Sequence, residues 1–385
     1  MWKLRLIRAL QRCLFFLPVK KNRILFYVNK RRGFGCNPKY VALEMLRRFG
    51  AGVELIWATD YPETCGEIEK LGIRVVRAGT KQHWLLQLTS GAVVVNDAFH
   101  ETVVLRRRQV TVNTWHASMN YKKIGPGSIA FRDQRHRAVF DMRNVQPDVY
   151  VSGSRFFTQD TSASFGFAER IFLPAGTPRN DILFQDNAAL AEKIRARYGL
   201  GDKRLALYAP TFRQTMKDDT QGLDFARLAA ALGKQFGGEW MILYRKHYFV
   251  SGGENLPDGV ANVSDYDDMS ELLAVVDVLV SDYSSCLWDF SMTMRPAFVF
   301  APDMEAYGGE DRGFAYPPEK WPYPLARNND EMESRVLTFD AVDYREKIQA
   351  HHAEAGTYDD GHASRRVADC LAEKLGLENK RAKMR

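Results

Sequence analysis

Two histidines stand in dense polar and basic motifs directly after strand-like runs. His116 lies in Thr114-Trp115-His116-Ala117-Ser118-Met119-Asn120-Tyr121-Lys122-Lys123-Ile124-Gly125, behind Val110-Thr111-Val112. His247 lies in Arg245-Lys246-His247-Tyr248, behind Trp240-Met241-Ile242-Leu243-Tyr244. An imidazole titrates near neutrality, and flanking Lys and Arg side chains attract an anion, so both motifs suit proton transfer beside a negative group. Taken alone, either histidine reads as a hydrogen-bonded structural residue. A third segment, Val278-Leu279-Val280-Ser281-Asp282-Tyr283-Ser284-Ser285-Cys286, tips the balance: an apolar strand breaks into a polar turn and restarts as an amphipathic helix. Hydroxyls and unpaired amides gather at that helix start, which is where a phosphate is stabilised. Capping by Ser284 or Ser285 explains the same residues without a ligand. The three motifs together indicate a phosphate and a base.

Short β-rich runs alternate with helical patterns and must position these motifs. Ile24–Val28, Val53–Ala58, Arg74–Val76, Ala92–Val95, Val110–Asn113 and Asp148–Ser152 read as strands of a first half, with helices at Pro38–Arg48, Cys65–Leu71 and Trp84–Leu88. Leu205–Ala209, Trp240–Tyr244, Val278–Val280 and Ala297–Phe300 repeat the strand signal, with helices at Ala188–Tyr198, Phe225–Phe236 and Ser270–Val276. Such alternation marks parallel βαβ layers, in which ligands sit beyond the carboxyl ends of the strands. His116, Arg213, His247 and Asp282–Ser285 all follow strands. Asn37-Pro38 reads as a capped helix start with Pro at its first position.

The chain has 385 residues, enough for two domains, and is 45% hydrophobic, with 23 Phe, 16 Tyr and 7 Trp to build two cores. Disorder is excluded. A net charge of +7 favours anionic partners. The five cysteines are odd in number and never in C-x-x-C spacing, so neither a disulfide framework nor a zinc knuckle is expected. No metal and no cofactor are expected. His351-His352 read as part of a solvated helix. No apolar run approaches the roughly 18–20 residues that span a bilayer. The amino terminus is different in kind: Leu6, Ile7, Leu10, Leu14 and Leu17 recur at helical spacing among Lys3, Arg5, Arg8 and Arg12. A basic amphipathic helix of this sort lies in an anionic membrane interface or packs on its own protein.

The organisation expected is therefore a basic amphipathic helix over residues 1–20, a first Rossmann-like domain over 21–175, and a second over 176–385 that includes the C-terminal helices.

The motifs also resemble, in order, those of the CDP-glycerol glycerophosphotransferases, the teichoic-acid primases and polymerases of bacterial envelopes. They run through Asn37-Pro38-Lys39-Tyr40, Trp115-His116-Ala117-Ser118, Lys122-Lys123-Ile124-Gly125, Gly176-Thr177-Pro178-Arg179-Asn180-Asp181 and Ala209-Pro210-Thr211-Phe212-Arg213. Arg245-Lys246-His247, Ser281-Asp282-Tyr283-Ser284-Ser285, Arg295-Pro296, Asp303–Tyr307 and Arg312-Gly313-Phe314 complete the series. The resemblance implies a GT-B-like α/β fold, two facing Rossmann-type domains with parallel sheets, the second holding the activated polyol phosphate. It implies that His116 is the base and His247 a second essential histidine at the phosphates. Arg179, Asn180, Asp181, Thr211, Arg213, Arg245, Asp282, Ser284 and Ser285 are then candidates for donor binding, and Lys122 and Lys123 for the acceptor. Arg179 and Asp181 read alternatively as a pair across a turn, Asp282 as a helix cap, and Trp115 as packing beneath the His116 loop.

The resemblance implies glycerol-phosphate transfer from CDP-glycerol to a hydroxyl of a lipid-linked or polymeric acceptor, in teichoic-acid or capsule-like polymer synthesis, with release of CMP. CDP-ribitol as donor, and a nucleotide-sugar glycosyltransferase on the same scaffold, are the alternatives. The expected location is cytoplasmic, peripheral on the inner face of the cell membrane. No recognisable nucleic-acid reader motif is present, and no nucleic-acid partner is expected. The sequence leaves the oligomeric state open.

Overall fold

In the computed structural model the described residues are 2–28, 33–125, 140–211, 222–246, 256–307 and 313–378. The chain divides into two compact units: Met1–His116 with Phe131–Asp181 and Tyr358–Arg385, and Ala117–Ala130 with Ile182–Thr357. The first carries a seven-stranded sheet of β1 Lys20–Tyr27, β2 Glu54–Thr59, β3 Arg74–Arg77, β4 Ser90–Val95, β5 Val110–Asn113, β6 Val149–Ser152 and β7 Phe172–Pro174, in the order β3-β2-β1-β4-β5-β6-β7. Every pairing is parallel.

The residues explain the layers. Parallel strands buried on both faces read as continuous apolar runs, and Ile24-Leu25-Phe26-Tyr27 is buried throughout. Alternate side chains enter different cores: Ile24 and Phe26 join Val41, Met45, Trp57 and Leu371, whereas Leu25 and Tyr27 join Leu86, Val93 and Phe99. A side chain at Gly91 would set its Cβ 2.6 Å from the Lys21 carbonyl oxygen, so the approach of β4 to β1 requires glycine there.

The second unit carries β8 Arg204–Ala209, β9 Trp240–Tyr244, β10 Val260–Asn262, β11 Val278–Ser281, β12 Ala297–Phe300 and β13 Leu325–Ala326, again all parallel, in the order β10-β9-β8-β11-β12-β13. In each sheet the strand order reverses once, between β1 and β4 and between β8 and β11. Such reversals open the crevice where open α/β sheets bind ligands.

Three expectations are corrected. The C-terminal helix Ala363–Leu375 belongs to the first unit, because its stripe Val367, Ala368, Leu371 and Leu375 completes the core beneath β1 and β4. Arg48 ties it further to the helix Cys36–Phe49 through Asp369 at 2.6 Å. The long segment of the second unit begins at Ile182 rather than at residue 176, and it ends at Thr357. His351 is not solvated: it shares a buried helical stripe with Tyr344, Ile348 and Ala355 and its Nε2 meets the Tyr121 hydroxyl at 3.0 Å.

The amino-terminal helix Trp2–Cys13 docks on the chain that follows β4. Gln11 bonds the Thr102 carbonyl and the Val104 amide, and Arg8 donates to the Glu101 carbonyl at 3.1 Å. On its other side Trp2, Leu6 and Leu10 are exposed, and Phe16 beyond the helix is 79% exposed. Among the described residues no helix is long and apolar enough to cross a membrane.

Burial holds the His83 ring at a pKa of about 3 and the His351 ring at about 4. Each is neutral when folded and regains an ordinary value near 6.5 on unfolding. Their stabilisation is fully present above about pH 6.5 and is lost as pH falls toward the folded values, at about 1.4 kcal/mol per pH unit for each ring. Urea unfolding at about pH 7 and about pH 5 should therefore show a clear drop in midpoint, smaller in His351→Gln. An identical drop in the variant contradicts this account.

Candidate active site

In the first unit the motif residues collect at the carboxyl ends of β1, β4, β5 and β7. Asn113 ends β5; its Nδ2 donates to the Asp97 carbonyl at 2.6 Å and its Oδ1 accepts from the Trp115 amide at 2.9 Å. Thr114 ties back to the Val95 carbonyl through its amide at 2.7 Å and its hydroxyl at 3.0 Å. These bonds hold Trp115 at φ +48°, a left-handed conformation that costs a bulky residue about 1–3 kcal/mol. Trp115 packs on Tyr150 and Phe165 and stacks on the His116 ring at 4.5 Å, so it does lie beneath the loop.

His116 is partly exposed, and its Nδ1 lies 3.0 Å from the Asn96 carbonyl oxygen. A carbonyl oxygen only accepts, so Nδ1 donates this bond, and whenever the ring is neutral its lone pair is on Nε2.

The segment Gly176–Asp181 packs beside this loop. Gly176 has φ +87°, and a Cβ there would lie 2.9 Å from the Tyr358 carbonyl oxygen. The Thr177 amide donates to Asp359 at 2.6 Å. Arg179 and Asp181 do not pair across the turn. Buried Arg179 directs Nη1 toward the Cys36 sulfur at 3.6 Å, and the Asp181 carboxylate accepts the Ala363 and Ser364 amides at 2.9 and 2.8 Å. Asp181 thus caps the C-terminal helix, and burial raises its pKa. Asn180 is 0% exposed, with neither side-chain amide atom hydrogen-bonded among the described residues. A buried amide of this kind is the place where an ordered water or a ligand group is accommodated.

The sequence shows Asn37 as a motif residue, but locally it reads as the cap of its own helix, and its partners are not legible there. The helix is Cys36–Phe49 with Gly35 at the cap position, and the Asn37 side chain instead donates to the Thr114 and Trp115 carbonyls at 2.8 and 2.9 Å. Its Oδ1 accepts the Arg179 amide at 3.0 Å. Only the adjacency of Asn37 to other motif residues hinted at this; no spacing rule links positions so distant in sequence.

In the second unit Thr211, Arg245 and Asp282 follow β8, β9 and β11, three neighbouring strands at the point where the order reverses. Asp282 is buried and does not cap the following helix. Its carboxylate accepts the Thr211 amide at 3.0 and 2.9 Å, the Thr211 hydroxyl at 2.6 Å and the Tyr283 amide at 2.6 Å. Arg245 donates through Nη1 to the Tyr266 carbonyl at 2.6 Å. Ser284 and Ser285 are partly exposed ahead of the short helix Cys286–Ser291, where the Ser284 hydroxyl accepts the Cys286 amide at 3.3 Å. Lys122 forms an antiparallel bridge with Phe314, and exposed Lys123 bonds the Gly313 carbonyl through its amide. Arg295, half-buried, closes the helix Met269–Val275 through the Leu273 and Val276 carbonyls. His247, Arg213 and Arg312 lie outside the described residues.

The family model for CDP-glycerol:poly(glycerophosphate) glycerophosphotransferases matches residues 9–373. The chain belongs to that family. Among its relatives, the teichoic acid poly(glycerol phosphate) polymerase of Staphylococcus epidermidis is 28% identical over 92% of this chain, which spans 51% of that protein. The teichoic acid glycerol-phosphate transferase of Staphylococcus aureus is 26% identical over 91% of this chain and 93% of its own length. A solved structure of the wall teichoic acid polymerase TagF superposes with a TM-score of 0.81 at 25% identity, covering 96% of this chain and 94% of that one. This glycerophosphotransferase-family chain therefore has a GT-B-like architecture of two parallel-sheet α/β domains. The capping role of Asp181 gives a test within that architecture. Asp181→Ala should lower the unfolding free energy by about 1–2 kcal/mol, as loss of a helix cap does, measured by urea unfolding. An unchanged unfolding free energy would contradict the capping role.

Proposed function

We propose that this chain transfers glycerol phosphate from CDP-glycerol to a hydroxyl of a lipid-linked or polymeric acceptor in teichoic-acid synthesis, releasing CMP. Membership of the family and the names of the relatives support the reaction class. The observation that carries the chemistry is the bond from His116 Nδ1–H to the Asn96 carbonyl, which leaves Nε2 as the basic nitrogen.

An alcohol has a pKa far above neutrality, so its proton must leave as the oxygen attacks. In the proposed step Nε2 of His116 takes that proton while the acceptor oxygen bonds to the β-phosphorus of CDP-glycerol. The bond from that phosphorus to the bridging oxygen breaks, and CMP departs with the electron pair. Positive and hydrogen-bonding groups stabilise the charge that builds on both phosphates. We assign that role to Arg245, Ser284 and Ser285, together with Arg213 and His247. Thr211 and Asp282 brace this edge of the second sheet, Arg179 and Asn180 contribute at the first, and Lys122 and Lys123 engage the acceptor.

The exposed stripe Trp2, Leu6, Leu10 and Phe16, flanked by Lys3, Arg5 and Arg12, supports docking on the anionic inner face of the cell membrane. The helix is already anchored to the protein by Gln11 and Arg8, so its apolar stripe can enter the interface without releasing the fold.

CMP release should be measured with CDP-glycerol, CDP-ribitol and a nucleotide sugar in turn, each with a lipid-linked acceptor. Turnover of CDP-glycerol, reduced about 10²-fold or more in His116→Ala with donor affinity retained, is the expected result. Turnover of the nucleotide sugar alone overturns the reading, and turnover confined to CDP-ribitol changes the donor. For the membrane face, a variant with Leu6, Leu10 and Phe16 replaced by Ser should lose binding to anionic liposomes while keeping its unfolding midpoint. Undiminished liposome binding would remove the docking proposal.

A further inference from the structure

The first unit brings three distant pieces of chain onto one carboxamide. Asn37, from the start of the helix after β1, is 0% exposed. Its Nδ2 donates to the Thr114 carbonyl at 2.8 Å and the Trp115 carbonyl at 2.9 Å, and its Oδ1 accepts the Arg179 amide at 3.0 Å. The second of these carbonyls belongs to the peptide that joins Trp115 to His116. Both residues held beside this bracket take the left-handed conformation disfavoured for side chains of their size, Cys36 at φ +62° and Trp115 at φ +48°. Backbone of that kind persists where surrounding bonds over-determine it, and Asn37 supplies two of those bonds.

We infer that Asn37 is a positioning residue for the transfer reaction: its side-chain N–H groups hold the Thr114-Trp115 turn so that the His116 ring meets the Asn96 carbonyl and presents Nε2 to the acceptor hydroxyl. The inference rests on the reading of His116 as the base. Asn37 touches no reacting atom in this scheme and acts through the backbone. The geometry also makes the two arms of the side chain separable. The Nδ2 arm serves the His116 loop, and the Oδ1 arm serves the Arg179 loop.

Aspartate at position 37 keeps an oxygen for the Arg179 amide but replaces the donor with an acceptor facing two carbonyl oxygens. The histidine loop alone loses its bracket. Since a misplacement of about 1 Å can cost about 10²-fold in rate, Asn37→Asp should lower kcat for CMP release by about 10-fold to 10²-fold, with KM for CDP-glycerol changed by less than about 3-fold. Loss of general stability would do the same to any active enzyme, so the deciding measurement is made again on a His116→Ala background. A residue that acts through His116 has nothing left to position there, and Asn37→Asp should then change the residual rate by less than about 2-fold.

Equal factors on both backgrounds, or an unchanged kcat in Asn37→Asp, overturn the inference while leaving His116 as the base. Near-normal turnover in His116→Ala itself overturns the base assignment and the inference with it. Asn37→Ala, which removes both arms, provides the second variant if the carboxylate prevents folding. The unfolding midpoint of each variant establishes that folded protein is being compared.

Discussion

The chemistry proposed for the first unit depends on one hydrogen bond, from Nδ1 of His116 to the carbonyl of Asn96. It decides which ring nitrogen is basic, because a carbonyl cannot donate. To make it, the chain leaving β5 must turn back over the end of β4. Asn113 and Thr114 achieve that turn by bonding Asp97 and Val95, and Trp115 completes it in a left-handed conformation. The parallel sheet makes the arrangement available: β4 and β5 end side by side, so a loop from one reaches the last carbonyls of the other.

The same logic explains why several motif carboxylates and amides serve architecture. Asp282 joins the ends of β8 and β11 where strand order reverses, and Asp181 joins the end of one motif to the helix that returns from the far end of the chain. Each satisfies backbone N–H groups that would otherwise be buried without partners. Removing such a carboxylate leaves those N–H groups without their partner and loosens the loops it joins.

The alternation of strands and helices was legible because buried parallel strands are continuous apolar runs with long helices between them. β5, β9 and β12 begin and end where the pattern places them, as do the helices Ala188–Tyr198 and Phe225–Phe236. The short strands β7, β10 and β13, two or three residues each, carry too little pattern to stand out. The allegiance of the C-terminal helix was hidden for another reason: an amphipathic stripe says that a helix packs, and not on what. His351 misled because a polar ring in a helix full of Glu, Lys and Gln suggests solvent, while its spacing from Tyr344 and Ile348 places it inside. Asn37 was visible as a motif residue, but its three partners lie 77, 78 and 142 positions away, beyond any local rule.

Burial sorts the remaining motif residues by what they can do. A group that binds a transient ligand must exchange solvent for that ligand, so partial exposure suits it, and His116, Arg245, Ser284, Ser285 and Lys122 are all partly exposed. A fully buried group with its bonds made cannot change partners without leaving something unsatisfied, which describes Asn37, Asp181 and Asp282. Asn180 fits neither class: it is as buried as Asn37, yet its amide is unfilled among the described residues. Its place next to Arg179, whose amide Asn37 holds, puts an unsatisfied donor and acceptor within the same bracket that fixes the His116 loop. The bracket thus joins the histidine proposed as the base to a buried polar group whose side-chain amide makes no hydrogen bond among the described residues.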